Sequence, residues 1–432
     1  MVHTGVKVQP YGLAVCDHHR VTWTESDASR ATRKALVQLL RAEGHLRSPR
    51  IAAAVEAVPR EVFVPGVDLA EVYRSTEAIV TKRVDGIGVS SASAPNVVAL
   101  MLEQLDPQPG DRVLEIGAGT GYNAALLAHL VGPTGSVTSI DIDEDLVQSA
   151  REHLDRAGYS QVEVLTHDGA LGYPSARTFD RIILTVASRD IAPAWTDQLS
   201  RPGGRLVLPL RIRGPQRSIA FVPENAHLVS TSLQACQFIP LRGVLAAPPV
   251  RVPISGDGAV GLVLPDDTPP LSAGALAEMF QQPRGVWSTG IAATHEDVRD
   301  ALHLWLVAHD ASVFTVWADP AARAVPDLFG INERFRGSLC ALAADALAVL
   351  GWANEDRKCG ELCVQAPPSA SNTAERLRRL VREWHAAGRP RDVDLRVRAF
   401  PRAASTSLAQ DAAVIQERWT RFVLDWANRQ QS

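Results

Sequence analysis

The chain has 432 residues, 46% hydrophobic and 21% charged, with a formal net charge of −4. This length predicts two or three domains with ample core, and the composition excludes wholesale disorder. The charge gives no global attraction to nucleic acid or anionic membrane. No apolar run reaches the roughly 18 to 20 residues of a membrane helix and no apolar signal core opens the chain, so a cytoplasmic enzyme is expected.

The five cysteines, Cys16, Cys236, Cys340, Cys359 and Cys363, are scattered and odd in number, which argues against a disulfide framework. Cys16 with His18 and His19, and Cys359 with Cys363, are metal-ligand types, yet neither set has the paired spacing of a structural zinc site. Free thiols and no metal are expected.

Residues 1–28 show no sustained periodicity and read as an N-terminal arm. From Ser29 to Ala57 the residues Leu36, Leu39 and Leu40, then Ile51, Val55 and Val58, recur at helical spacing. Two amphipathic helices broken near Ser48-Pro49 follow from that pattern. The Pro-bounded turn VPREVFVP (Val58 to Pro65) comes next. Tyr73 to Pro95 reads as a loop ending in GVSSASAP, before the apolar helix NVVALMLEQL. Its serines have two readings. Serine is a favoured helix N-cap and proline a favoured first-turn residue. Alternatively, Ser91 and Ser93, with backbone N–H groups at a helix start, hold an anionic substrate.

The stretch VLEIGAGTGYNAALLA (Val113 to Ala128) reads as strand, tight turn and helix. Gly117, Gly119 and Gly121 stand where side chains would keep backbone from a ligand. The spacing is GxGxG with Glu115 just ahead of it, which favours S-adenosylmethionine over NAD. GSVTSIDID ends a second strand in carboxylates, and Asp141, twenty residues beyond Gly121, suits both ribose hydroxyls. VEVLTHDGA ends a third strand at Asp168-Gly169, where Asp168 would take the adenine amino group and Gly169 would let the ring lie close. FDRIILTVA and LSRPGGRLVLPL supply further strands, and Ser218 to Gly243 closes this unit. Alternating strands and helices predict a mainly parallel, doubly wound sheet with the ligand over its C-terminal edge.

The Pro/Ala-rich segment LAAPPVRVP marks a boundary, giving a cofactor-binding α/β domain with its N-terminal helices over 29–245 and a C-terminal α+β domain over 246–432. In the latter, His295 to His309, Asn372 to Gly388 and Asp411 to Ala427 read as helices, and ASVFTVWA, GSLCALAA and VDLRVRAF as strands. Asn372 to Glu375 has the form of a capping box, and Ile415, Trp419, Phe422 and Trp426 form one apolar stripe. The stripe reads as core, with a peptide-docking surface as the second reading. Arg376, Arg378, Arg379 and Arg382 read as a solvated face or a site for an acidic peptide.

Taken in order, VPREVFVP, the SASAP loop, VLEIGAGTGYNAALLA, SIDIDEDL, THDGALGYP, FDRIILTVA, GGRLVLPL and FIPLRG resemble protein L-isoaspartyl O-methyltransferases across about residues 30–243. The resemblance implies a Rossmann-like α/β fold and S-adenosylmethionine as cofactor. It implies that Ser93, with Ser91 alongside, contacts the substrate carboxylate. It also assigns Glu115, Gly117 and Gly119 to the methionine end, Asp141 to the ribose, and Asp168 and Gly169 to the adenine. Where the family usually has a Gly-Gln-Thr-Ile-Ser-Gln-Pro type of loop, this chain has Val89-Ser90-Ser91-Ala92-Ser93-Ala94-Pro95. Some 190 further residues follow the point where repair enzymes normally end. Both departures resemble actinobacterial members tied to ribosomally made, modified peptides, including the FxLD lanthipeptide system. These methylate an aspartate in a constrained peptide, giving aspartimide or, after hydrolysis, isoaspartate. The expected partner is thus a peptide or protein containing Asp or isoAsp, such as a modified precursor peptide. General isoaspartate repair, a non-catalytic peptide-recruiting scaffold and a small-molecule methyltransferase are the alternatives.

Overall fold

The computed structural model describes residues 26–175, 177–247, 250–255, 257–264, 273–282, 284–318, 337–343, 346–356, 359–404 and 413–426. Cys16, His18, His19 and nearly all of the expected arm lie outside them. The helix Asp27–Ala42 starts where the Ser26 side chain accepts from Ser29 N, and Pro49–Ala57 starts at Ser48, which accepts from Ile51 N. The expected break at Ser48-Pro49 is the second of these caps.

The segment Tyr73 to Pro95, expected as loop, contains a two-stranded antiparallel hairpin, β1 (Ile79–Val84) and β2 (Ile87–Ala92). The hairpin is rich in β-branched residues (Ile79, Val80, Thr81, Val84, Ile87 and Val89), and Asp85 and Gly86 turn it at positive φ.

The central sheet begins with five parallel strands: β3 (Arg112–Ile116), β4 (Ser136–Asp141), β5 (Glu163–Thr166), β6 (Arg181–Leu184) and β7 (Arg205–Arg211). The chain runs from β3 outward to β4 and β5, then returns to place β6 on the other side of β3. The order therefore reverses between β3 and β6, the position where open α/β sheets bind ligands. Val113, Val137, Val164, Ile183 and Val207 face one core with the N-terminal helices, while Leu114, Ile116, Ile140, Ile182 and Leu206 face the other. Near-continuous apolar strands are what burial on both faces requires. Strands β8 (Gln216–Glu224) and β9 (His227–Ala235) continue the sheet antiparallel.

Beyond residue 245, seven strands form a second, antiparallel sheet: β10 (Val250–Pro253), β11 (Val260–Leu264), β12 (Gly285–Thr294), β13 (Val313–Ala318), β14 (Gly337–Ala343), β15 (Ala346–Asp356) and β16 (Cys359–Ala366). The helix Ser371–Ala386 packs against it through Leu377, Val381 and Trp384. This helix begins one residue before the expected capping box, and Ala370 at its N-cap provides no side-chain bond. Arg376 and Arg378 on it are not simply solvated, since they pair with Asp310 and Glu375.

The chain then rejoins the first sheet. Strands β17 (Leu395–Pro401), β18 (Ala413–Gln416) and β19 (Thr420–Trp426) extend it beyond β9, making ten strands. Asp411 to Ala427, expected as a helix, thus contains two strands. Phe422 and Leu424 point into the core at the strand's period of two, and pairing with β17 overrides the helical spacing of the aromatic residues. One core runs from the sheet face of Leu206 and Phe221 through Leu302 and Trp384 to Phe422. Among the described residues no helix is long and apolar enough to cross a membrane.

Candidate active site

Strand β3 ends at Ile116, and the chain turns through Gly117, Gly119 and Gly121 into the helix Tyr122–Val131. Gly117 has φ 103°, and a Cβ there would lie 2.5 Å from Thr185 Oγ1. Gly121, at φ 88°, is the helix N-cap, packed 3.2 Å from Ala150 O as judged from the Cβ it lacks. The Gly119 N–H donates to Asp141 Oδ2 at 3.0 Å, binding the turn to the end of β4.

Two adjoining cavities open at this edge of the sheet. The first, about 580 Å³, is bordered by Gly117, Gly119, Asp141, Ile142, Gly169 and Arg242. The second, about 460 Å³, is bordered by Arg60, Ser93, Met101, Tyr122, Asn123 and Phe238. Ser91, Gly117, Gly119 and Thr185 belong to both walls. The first combines a buried carboxylate with apolar sides, the mix of a few convergent polar groups and apolar lining that small-molecule sites use. Ile142 at its wall stays 38% exposed, leaving apolar surface that a flat ring can cover.

Of the residues expected from sequence, Gly117, Gly119, Asp141, Gly169 and Ser91 thus meet around the first cavity, and Ser91 and Ser93 around the second. Glu115, Gly121 and Asp168 border neither. Glu115 is fully buried behind the turn, where it accepts from Asn123 Nδ2 at 2.8 Å and Ser139 Oγ at 2.5 Å. Burial pushes its pKa up to about 7, against the two hydrogen bonds that lower it. Asp168 accepts from the N–H groups of Ala170 at 3.0 Å and Val244 at 2.7 Å, fastening the segment after β9 to the end of β5. Gly169 is packed onto Ile116, since a Cβ there would approach Ile116 Cγ2 to 2.3 Å. Burial also raises the Asp141 pKa, while the Gly119 and Asp143 amides and Arg242 oppose it.

The helix Pro95–Leu105 takes Ala94 as its N-cap with no side-chain bond, so neither Ser91 nor Ser93 caps it. Ser91 lies in β2 and Ser93 in the link that follows. Among the wall residues to which the sequence assigns no role are Arg60, Thr185 and Arg242. Arg60 stands inside the VPREVFVP motif, which does not single it out, whereas the place of Thr185 just past β6 at the topological switch is a signal legible in the sequence. Arg242 pairs with Asp143 at 2.7 Å, and its segment is held by Leu241 N donating to Ala187 O at 2.8 Å. Among the described residues no group of three or more His, Cys, Asp or Glu side chains is placed to hold a metal.

Residues 31–245 match the model of a family described as Protein-L-isoaspartate(D-aspartate) O-methyltransferase. The chain is 38% identical over 216 residues to the protein-L-isoaspartate O-methyltransferase of Methanopyrus kandleri, covering 50% of this chain and 92% of that one. It is 38% identical over 231 residues to the protein of the same name from Hyperthermus butylicus, covering 51% and 93%. A solved protein-L-isoaspartate O-methyltransferase structure is similar with a TM-score of 0.48 and 22% identity, covering 85% of this chain and 96% of that one.

Proposed function

This chain belongs to the protein-L-isoaspartate O-methyltransferase family, and on that premise we propose that it methylates the carboxylate of an aspartyl or isoaspartyl residue in a peptide or protein, using S-adenosylmethionine. The observation that carries this is the pair of cavities sharing the Gly117–Gly119 wall, one holding a buried carboxylate and the other bordered by Ser93. The cofactor fits the first: Asp141 for the ribose hydroxyls, the backbone of Gly117 and Gly119 for the methionine end, and Ile142 and Gly169 beside the adenine. Glu115, Gly121 and Asp168 act through these walls, as supports.

Bound there, S-adenosylmethionine supplies an electrophilic methyl group on a sulfonium. An acceptor carboxylate with a pKa near about 4 is already ionised at neutral pH, so no side chain need remove a proton. The protein aligns the carboxylate oxygen with the methyl group, an effect worth up to about 7 to 11 kcal/mol, and excludes water. Ser93 donates to the carboxylate and orients it, with Ser91 at the junction of the cavities. The methyl ester then reacts with the next backbone amide nitrogen, closing the five-membered imide and releasing methanol without help from the enzyme.

We infer further that the acceptor is an aspartate in a constrained, ribosomally made peptide, and that residues 246–432 help select it. Supporting this are the altered loop Val89 to Pro95 and the length of chain outside the family match. The identity to the M. kandleri protein-L-isoaspartate O-methyltransferase favours an isoaspartyl acceptor instead, as general repair would use. Comparing methyl transfer to an unstructured isoAsp peptide and to an Asp-containing modified precursor separates them. Preference for the precursor supports maturation; efficient use of generic isoAsp peptides supports repair.

A further inference from the structure

The wall of the second cavity contains a charge with no counter-ion among the described residues. Arg60 is wholly buried, and its Nε and Nη2 are engaged by the backbone: Nε donates to Val72 O at 2.9 Å, and Nη2 to Ser93 O at 2.9 Å and Ala92 O at 3.4 Å. Its face lies over the Tyr122 ring, 5.0 Å from the centroid. Nη1 is buried and has no hydrogen-bond partner. Among the described residues no carboxylate pairs with Arg60. The neighbouring acid, Glu61, is engaged by Ser29, Arg33 and Tyr73. Removing a guanidinium from water without an anion is costly, and burial here pushes its pKa down. The energetically consistent occupant of the adjoining space is an anion.

We propose that Arg60 is the anchor for the acceptor carboxylate: Nη1 takes one carboxylate oxygen in the cavity that Ser91 and Ser93 border, leaving the other oxygen to receive the methyl group. This rests on the reading above that the second cavity receives the acceptor. The same guanidinium holds the Ala92 and Ser93 carbonyls, so it positions the serine loop and the substrate together.

The charge balance of the reaction gives this anchor a distinct signature. An anionic carboxylate and a cationic sulfonium become a neutral ester and a neutral thioether, so the negative charge fades on approach to the transition state. A charge-assisted bond from Arg60 is therefore strongest with the bound reactant and weakest with the ester. Arg60 acts on KM more than on kcat, and its grip relaxes on the product.

The test uses the full chain with S-adenosylhomocysteine bound. Calorimetry compares whichever of an isoAsp peptide and an Asp-containing modified precursor the protein methylates with the same peptide carrying a carboxamide in place of that acceptor carboxylate. The expected result is at least about tenfold tighter binding of the acid. Equal affinity, or binding of neither, overturns the proposal, and this comparison needs no substituted protein. In Arg60→Gln the KM for the acid should rise about 10- to 100-fold, with kcat changed only a few-fold and the preference for acid over amide abolished. Arg60→Lys should restore part of that preference. A purely structural Arg60 would instead weaken acid and amide alike and lower kcat. Unchanged KM with intact methyl transfer in Arg60→Gln sinks the anchor and leaves the proposed activity standing, whereas absence of methyl transfer to any carboxylate in the unaltered protein sinks that activity.

Discussion

The backbone N–H of Gly119 donates to the Asp141 carboxylate at 3.0 Å, so the turn after β3 and the acid ending β4 form one hydrogen-bonded unit at the switch point of the sheet. Asp141 Oδ1 interacts more weakly, 3.7 Å from Arg242 Nη2. Replacing Asp141 by Ala removes the ribose acceptor and the brace on the turn together. S-adenosylmethionine affinity should fall about 5- to 150-fold, corresponding to about 1 to 3 kcal/mol. Unchanged affinity by calorimetry removes Asp141 from the site.

Ser93→Ala should preserve cofactor affinity, because Ser93 borders the second cavity and not the first. Turnover should drop roughly 10- to 100-fold through loss of one charge-assisted hydrogen bond to the acceptor. Wild-type turnover in this variant would reduce the serine to loop structure. A helix-cap role is excluded by Ala94 at the N-cap.

The cofactor half of this site was legible because glycine spacing and strand-end acids are local signals. Gly117, Gly119 and Asp141 could be placed from one stretch of about thirty residues. Arg60 could not, because its significance lies in an unpartnered nitrogen that appears only when the link at Ser93 folds over it. The return of β17 to β9 was equally hidden, since it joins segments more than 150 residues apart. At Ile415, Trp419, Phe422 and Trp426 a spacing of three and four mimics a helix, while the strand pairing that prevails is a long-range property.

Glu115 makes a pH prediction. Its carboxyl rises from the ordinary 4.5 to about 7 because it is buried, so the folded protein binds that proton more tightly than the unfolded chain. Stability from this group is then full below pH about 4.5, falls as pH climbs toward about 7, and is level above. Asp392, raised by burial to about 6 against the opposing effect of Arg217, adds to the slope in the same direction. Glu115→Gln, which keeps the shape without the titration, should flatten the fall in denaturant midpoint between pH 5 and 7. An identical slope in the variant would contradict the burial account.

Residues beyond 245 are expected to be required for folding. Val397 N donates to Ser230 Oγ at 2.8 Å, and Arg217 forms a buried ion pair with Asp392 at 2.5 Å. A chain ending at residue 245 would leave the β9 edge unpaired, Arg217 without its acid and the shared core open to water. Such a fragment should aggregate or melt well below the full chain in circular dichroism. A melting temperature equal to that of the full chain would show that the first sheet stands alone.

The most direct test of the central claim is the chemistry of the transferred methyl group. The full chain is incubated with methyl-labelled S-adenosylmethionine and, separately, an isoAsp peptide and an Asp-containing modified precursor. The label attached to the peptide is then measured before and after mild base. The account predicts label on at least one of them, released by base as methanol, as a carboxyl ester requires. Base-stable label, or none on either peptide, would contradict it.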